Sequence, residues 1–540
     1  MELTREQQAI LDGSQGEVYA RIMKTLVMYG ETFGATKMVP VTSTYGHIVT
    51  SFGVIVIKGV FDLMDELIAA GVTSKQKFSA DPRPVDKNVP SNLLQDIVFK
   101  VMYGPQKRYE EQLKKIGLLR DDAFTCACYF PEVGNRPNKG DILSWAESSA
   151  VNYANSVLGA RCNRNSGIIE MFGSILGFVP YFGLLTDEGR KASWIVEINT
   201  TKKPEAQLLG SAIGMKVMED VPYIKGLDGW IGTELNDDAC AYLKDFGAAT
   251  ASNGAVGLYH IDRLTPEAVE QGESLIKPDA KVYVIDDAEL ERVKASYPVI
   301  WKDKDATPRL CFMGCPHMTF SQLNDWTEKL EAKLKEKGRR KVAIKTVFTS
   351  APGVIKEFEK TENYKKLKDM GVVVSYICPL MYMNNPMCAK MPVITNSNKL
   401  RTYTTSRYYS DSEILDQITG VANNGTDFQG PRSGSRRSHP QGAGIPRRIQ
   451  HPGLLQGLQG GQEHLYRSEQ PGPVRQVHSG RGPLPAPDHR LHHGRHGALQ
   501  LRRDRLQPRR AAVFQHHRLS GCGGRHIGQR LDSQQHTHRR

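Results

Sequence analysis

The chain has 540 residues, 24% of them charged and 39% hydrophobic, and a formal net charge of +13. The charge is unevenly placed. Residues 431–540 hold 20 Arg, 13 of the 16 His, five acids and no Lys, so they carry +15 and leave −2 (51 Lys+Arg, 53 Asp+Glu) on residues 1–430. A near-neutral body of that length exceeds one ordinary core, and it has neither an apolar run of bilayer length nor a signal-like start in MELTREQQAI. It reads as a cytoplasmic globular protein, with no case for nucleic-acid or membrane binding.

In chain order, Thr4 with Gln7 forms a capping-box pattern opening a first helix to about Tyr29. A short strand at Met38–Val41 leads to a glycine-bearing turn with His47, and Asp62–Ala70 is an amphipathic helix stopped by Gly71. FSADPRPVDKNVP, with three prolines, reads as a loop. Residues 91–117 read as helical, and FTCACYF as a short extended segment. From about 281 strands and helices alternate: KVYVID, RLCFMGCPH, KVAIKTVFTSAPG and GVVVSYICP are strands with helices between them. This pattern predicts an α/β fold with a doubly wound parallel sheet, whose ligands gather at the carboxyl ends of the strands.

Cys315 and Cys378 fall at such ends, and Cys126 lies on the FTCACYF segment. Three thiolates suit an iron–sulfur cluster with one iron position left open, although buried cysteines are also common packing residues. The eight body cysteines form no CxxC pair, which argues against a structural zinc finger, and without a secretory context they do not suggest a disulfide frame. Cys162, Cys240, Cys311 and Cys388 read as packing thiols, and Cys128 is ambiguous. SWAESSAVNYANSVLGARCNRNSG gathers Glu147, Ser148, Ser149, Asn163, Arg164 and Asn165, a set able to clamp an anion or to form a surface turn. ITNSNKLRTY adds Asn396, Ser397 and Lys399. His47 and His317 sit in turns after strands, where catalytic loops lie.

LTREQQAILDG, WAESSAVNYANSVLGARCNR, GLLTDEGRKASWIVEI, GAATASNGAVGLYH, GCPHMTF and ITNSNK, in order from about residue 2 to 420, resemble the large subunit of aconitase X. The resemblance implies an aconitase-like hydro-lyase that dehydrates a small anionic hydroxy acid such as cis-3-hydroxy-L-proline or mevalonate 5-phosphate. It also implies an iron centre on Cys126, Cys315 and Cys378. Asn163, Arg164, Asn396 and Ser397 would bind substrate, and His47, Ser148 and Lys399 would serve catalysis. The chain departs from the family pattern at Cys128, at CNRNSG and at Ser350-Ala351, which leaves the substrate open. A non-catalytic metal-binding or scaffold protein is the alternative.

On this reading residues 1–420 are the catalytic body, with about 281–400 a βαβ subdomain, and 421–430 are a linker. Aconitase X also needs a small domain, fused or separate, with a motif like PQTIGSTTGGMVLY. PAPDHRLHHGRHGAL (485–499) encodes that motif one reading phase away, as Leu-Pro-Gln-Thr-Ile-Gly-Ser-Thr-Thr-Gly-Gly-Met-Val-Leu-Tyr. Residues 431–540 therefore read as a frameshifted small domain, normally fused in cis, rather than as an Arg/His-rich nucleic-acid-binding tail. As written they are too polar to offset ordering entropy and are expected to be unstructured. In the aconitase pattern the small domain supplies a serine base, whose codon here straddles Leu491, so the chain as written is expected to be impaired.

Overall fold

A computed structural model of the chain describes residues 1–49 and 58–420. The expectations for 421–540 lie outside the described residues.

The capping box at Thr4 and Gln7 forms as expected, but the first helix is two, Arg5–Leu11 and Glu17–Thr32. They are parted at Gly13 and Gly16, whose φ values of +94° and +97° no helix accommodates. Gly30 lies within the second helix rather than ending it, and the position requires glycine because a Cβ there would strike Pro180. The 91–117 stretch likewise breaks into Leu93–Tyr103 and Gln106–Ile116 at Gly104-Pro105, since proline cannot donate the bond that would continue the first helix. The supposed loop at FSADPRP begins as a buried strand, Phe78–Ala80, paired in parallel with Gly46–Ile48. Isolated bridges extend this pair to Phe124 and Trp145, bringing the His47, Asp81 and Cys126 segments side by side.

Two larger sheets follow, both wholly parallel. The four-stranded sheet runs in the order His260–Ile261, Pro222–Lys225, Ala192–Ile198, Ile276–Ile285. KVYVID thus pairs with Ala192–Ile198 rather than with the strands after it. The five-stranded sheet runs Val372–Ser375, Lys345–Ser350, Leu310–Met318, Val393–Thr395, Arg407–Tyr408. All nine residues of Leu310–Met318 are buried, as befits the central strand of a parallel sheet covered on both faces. The helix expected after KTVFTS is two, Pro352–Phe358 and Glu362–Asp369, the second opened by a Thr361 cap. Among the described residues no helix is long and apolar enough to cross a membrane.

Candidate functional site

The site forms where the central strand of the five-stranded sheet bends. At Gly314 φ is +95°, and a Cβ would run into the Thr349 carbonyl of the neighbouring strand, so only glycine lets the chain turn there. The turn delivers Cys315. Its carbonyl accepts from Ser397 Oγ and, at 3.5 Å, from Gln207 Nε2. Cys378 caps the short Pro379–Met383 helix, and its N–H donates to the Arg83 carbonyl at 2.9 Å. Cys126 comes from the first region. Its sulfur accepts from the His317 N–H at 3.4 Å.

The three thiols line one small cavity together with Asp81, Glu147, His317 and Lys399. Among the described residues no three His, Cys, Asp or Glu side chains are grouped closely enough to hold a single metal ion. The thiols are three walls of a cavity rather than a closed ion site. Burial is the main influence on each, pushing Cys315 up to about 11 and raising Cys126 and Cys378 as well, while Lys399 pulls all three in the opposite direction.

His317 joins all three segments. Its Nε2 donates to the Ile377 carbonyl at 3.2 Å, which leaves Nδ1 to accept from Thr125 Oγ1 at 2.9 Å. Both ring nitrogens are thus committed, and burial holds the imidazole down at about 4. His317 is a neutral clamp on the cysteine loops.

Lys399 and Glu147 form a buried ion pair, with the ammonium also near Ser149 Oγ (3.3 Å) and Ser148 Oγ (3.4 Å). Glu147 caps the Ser148–Ser156 helix, accepting from Ala150 N–H and Ser149 Oγ at 2.6 Å each. Burial opposes both charges. The Lys399 ammonium nevertheless holds Glu147 below the usual carboxylate range, and Glu147 with the Cys315 and Cys126 thiols raises Lys399.

The other residues named from the sequence are placed differently. His47 is fully buried and absent from the cavity wall. Its Nδ1 meets Ser79 Oγ at 2.9 Å, and its Nε2 stands 3.8 Å from Asp81 Oδ1. Burial draws it down to about 4. It is Asp81 that lines the cavity, with Oδ1 buried and unpaired by any hydrogen bond, and burial raises its carboxyl well above the usual range. Asn163 is spent on backbone: its Nδ2 donates to Phe182 O at 2.9 Å and its Oδ1 accepts from Leu184 N at 2.7 Å. Arg164 donates to the Ala255 carbonyl and lies off the cavity wall, its Nε without a partner. Ser397 caps the Asn398–Tyr403 helix and fixes Cys315.

Asn396 bonds Asp411 Oδ1 at 2.8 Å in the wall of a second, larger cavity of about 450 Å³, which shares Cys315 with the first. Cys128, Cys162, Cys311 and Cys388 are buried, and Cys240 is half-buried.

Asp81 and Glu147 are the site residues that sequence reading undervalued. The one available signal for Asp81 was its place before Pro82, just past a strand hidden within an apparent loop.

Three domain profiles match consecutively: the aconitase X first domain over residues 1–188, the second over 192–295 and the third over 308–418. The chain belongs to the aconitase X family. A phosphomevalonate dehydratase large subunit of Methanocaldococcus jannaschii is 31% identical over 426 residues, 77% of this chain and 97% of that protein. A cis-3-hydroxy-L-proline dehydratase of Hypocrea jecorina is 26% identical over 436 residues, 76% of this chain and 67% of the relative. The crystal structure of Thermococcus kodakaraensis aconitase X (holo-form) superposes with a TM-score of 0.65 at 24% identity, covering 77% of this chain and all of that one. The aconitase X fold is therefore that of the described residues.

Proposed function

We propose that residues 1–420 form the catalytic body of an aconitase X hydro-lyase that removes water from a small anionic hydroxy acid. The carrying observation is the convergence of Cys126, Cys315 and Cys378 on one cavity beside the Lys399–Glu147 pair. Three thiols from three separate segments suit an iron–sulfur group as donor chemistry, and they would hold it. Such a group, when bound, supplies Lewis acidity toward a leaving hydroxyl oxygen.

The chain's own residues account for the rest. Lys399, kept charged by Glu147, binds and orients the substrate carboxylate, and Ser148 lies within reach of the same ammonium. Asp81 gives its proton to the departing hydroxyl oxygen, which leaves as water with the electrons of the broken C–O bond. His47 stands behind Asp81 as a buried neutral neighbour, its Nε2 3.8 Å from Oδ1, and lends shape rather than a proton.

The proton on the adjacent carbon needs a base, and in the aconitase pattern that base is a small-domain serine. Here its codon straddles Leu491, so the chain as written lacks it. Restoring the reading frame near codon 430 is expected to restore dehydration of either cis-3-hydroxy-L-proline or mevalonate 5-phosphate, the two substrates borne by the relatives' names. The chain itself, purified anaerobically, is expected to bind iron and sulfide, and serine at any of the three cysteines to abolish loading. An iron content near zero that is indifferent to those substitutions would return the chain to the scaffold reading.

A further inference from the structure

The wall of the thiol cavity is electrically balanced before its cysteines ionise. Lys399 is matched by Glu147, burial favours the protonated form of Asp81, and His317 is neutral. Three thiolates add three negative charges to that wall, and in a poorly solvated interior they need positive charge close by. Lys399 has little to spare, since Glu147, Ser149 and Ser148 all accept from its ammonium. Among the described residues one other lysine is buried, Lys244 on the Asp237–Asn253 helix.

The Lys244 side chain is 1% exposed, and Asp245 Oδ1 at 2.6 Å is its one hydrogen-bond partner among the described residues. An ammonium has three N–H donors, so two are left uncommitted. The helix packs against the Leu310–Met318 strand that carries Cys315. From there the Lys244 charge reaches Cys315 and His317, and it favours the Cys315 thiolate. Asp245 is the more open partner, 22% exposed, and it lines the larger cavity together with Gln322 and Cys315. Its Oδ2 accepts from Gln322 Nε2 at 2.6 Å. Gln322 in turn closes the capping box with Thr319 that starts the Phe320–Glu336 helix, directly after the Cys315 loop. Asp245 and Gln322 thus moor Lys244 to the segment that bears the cysteine.

We propose that Lys244 is the counter-charge of the cysteine centre, an ammonium held at the Cys315 loop by Asp245 that raises the reduction potential of the iron–sulfur group those thiols would hold. The proposal rests on the hydro-lyase reading of residues 1–420. The potential of such a group follows its net charge and the hydrogen bonds to its sulfurs, and Lys244 brings a positive charge and two uncommitted donors. Asp245 works in the opposite sense, offsetting part of that charge. Neutralising each member of the pair therefore shifts the potential in opposite directions, which residues that only fill space do not do.

A redox titration of the full chain, loaded anaerobically with iron and sulfide, tests this, followed by visible absorption with iron content measured on the same samples. Lys244→Met is expected to raise the oxidised-to-reduced ratio at a fixed potential about tenfold, which is about 59 mV for one electron. Lys244→Arg, which keeps the charge, is expected to leave that ratio near the parent's. Asp245→Asn is expected to lower it, because the ammonium loses its offset. Where circular dichroism shows Lys244→Met unfolded, the direction of the Asp245→Asn shift decides alone. A loaded parent whose potential is unmoved by Lys244→Met overturns the proposal and leaves the hydro-lyase reading standing. So do shifts of the same sign in Lys244→Met and Asp245→Asn. A parent chain that takes up no iron overturns both.

Discussion

Replacing Glu147 by Gln strips the buried Lys399 ammonium of its counter-charge while keeping the side chain's volume. Both members are buried, at 5% and 8% side-chain exposure, so water cannot make good the loss. Removing one partner of such a pair costs about 3–5 kcal/mol, because the remaining charge is left uncompensated. That is a large share of a stability of about 5–15 kcal/mol. Urea denaturation of the iron-free chain measures it, followed by tryptophan fluorescence.

The pH dependence supplies a second check. In the parent Glu147 is held low, so its contribution is present above the unfolded value of 4.5 and is lost as pH falls through the folded one. In Lys399→Met the carboxylate keeps its bonds from Ala150 N–H and Ser149 Oγ but is buried without a counter-charge, and its pKa rises instead. Stability should then fall as pH rises, between the unfolded value and the raised folded one. The double variant E147Q/K399M is expected to be less destabilised than the sum of the singles, since it leaves no orphan charge. Singles costing under about 1 kcal/mol, with an additive double, would refute the claim that the pair is a coupled buried unit.

Further outcomes follow from the same geometry. The three histidines of the body, His47, His260 and His317, are all drawn down to about 4 by burial. Acid should therefore destabilise the fold as pH drops from about 6.5 toward 4, where the unfolded imidazoles take up protons that the folded ones refuse; His260→Gln should flatten that slope in pH-dependent urea titrations. Gly314→Ala forces a Cβ against the Thr349 carbonyl at φ +95°. It should lower stability by more than about 1 kcal/mol, and also abolish anaerobic iron loading by displacing Cys315. His317→Ala removes the clamp between Thr125 and Ile377, so alkylation of Cys126 should speed up, as read by mass spectrometry of labelled peptides. Asp81→Asn in the frame-restored enzyme should cut turnover while leaving iron content unchanged, as read by paired kinetics and iron assay.

Local signals were legible wherever a few neighbouring residues set the outcome. Thr4 and Gln7 marked a helix start, the alternation after residue 281 marked parallel sheets, and the order of motifs marked the family. Cys126, Cys315 and Cys378 were legible as a set for that last reason, although nothing in their spacing places them together. Pairings across long stretches of sequence were not legible. Lys399 and Glu147 are 252 residues apart, and His317 clamps partners 192 and 60 residues away, so only the packed chain brings them within bonding distance. Asn163 looked like a substrate clamp because an amide's chemistry is the same whether it meets a ligand or a backbone; the fold spent both its ends on Phe182 and Leu184. His47 is kept off the cavity wall, and Asp81 set on it, for a related reason. Sequence names the groups able to carry a proton, but which one faces the cavity is decided by the parallel pairing of Gly46–Ile48 with Phe78–Ala80, which buries the imidazole and leaves the carboxyl at the wall.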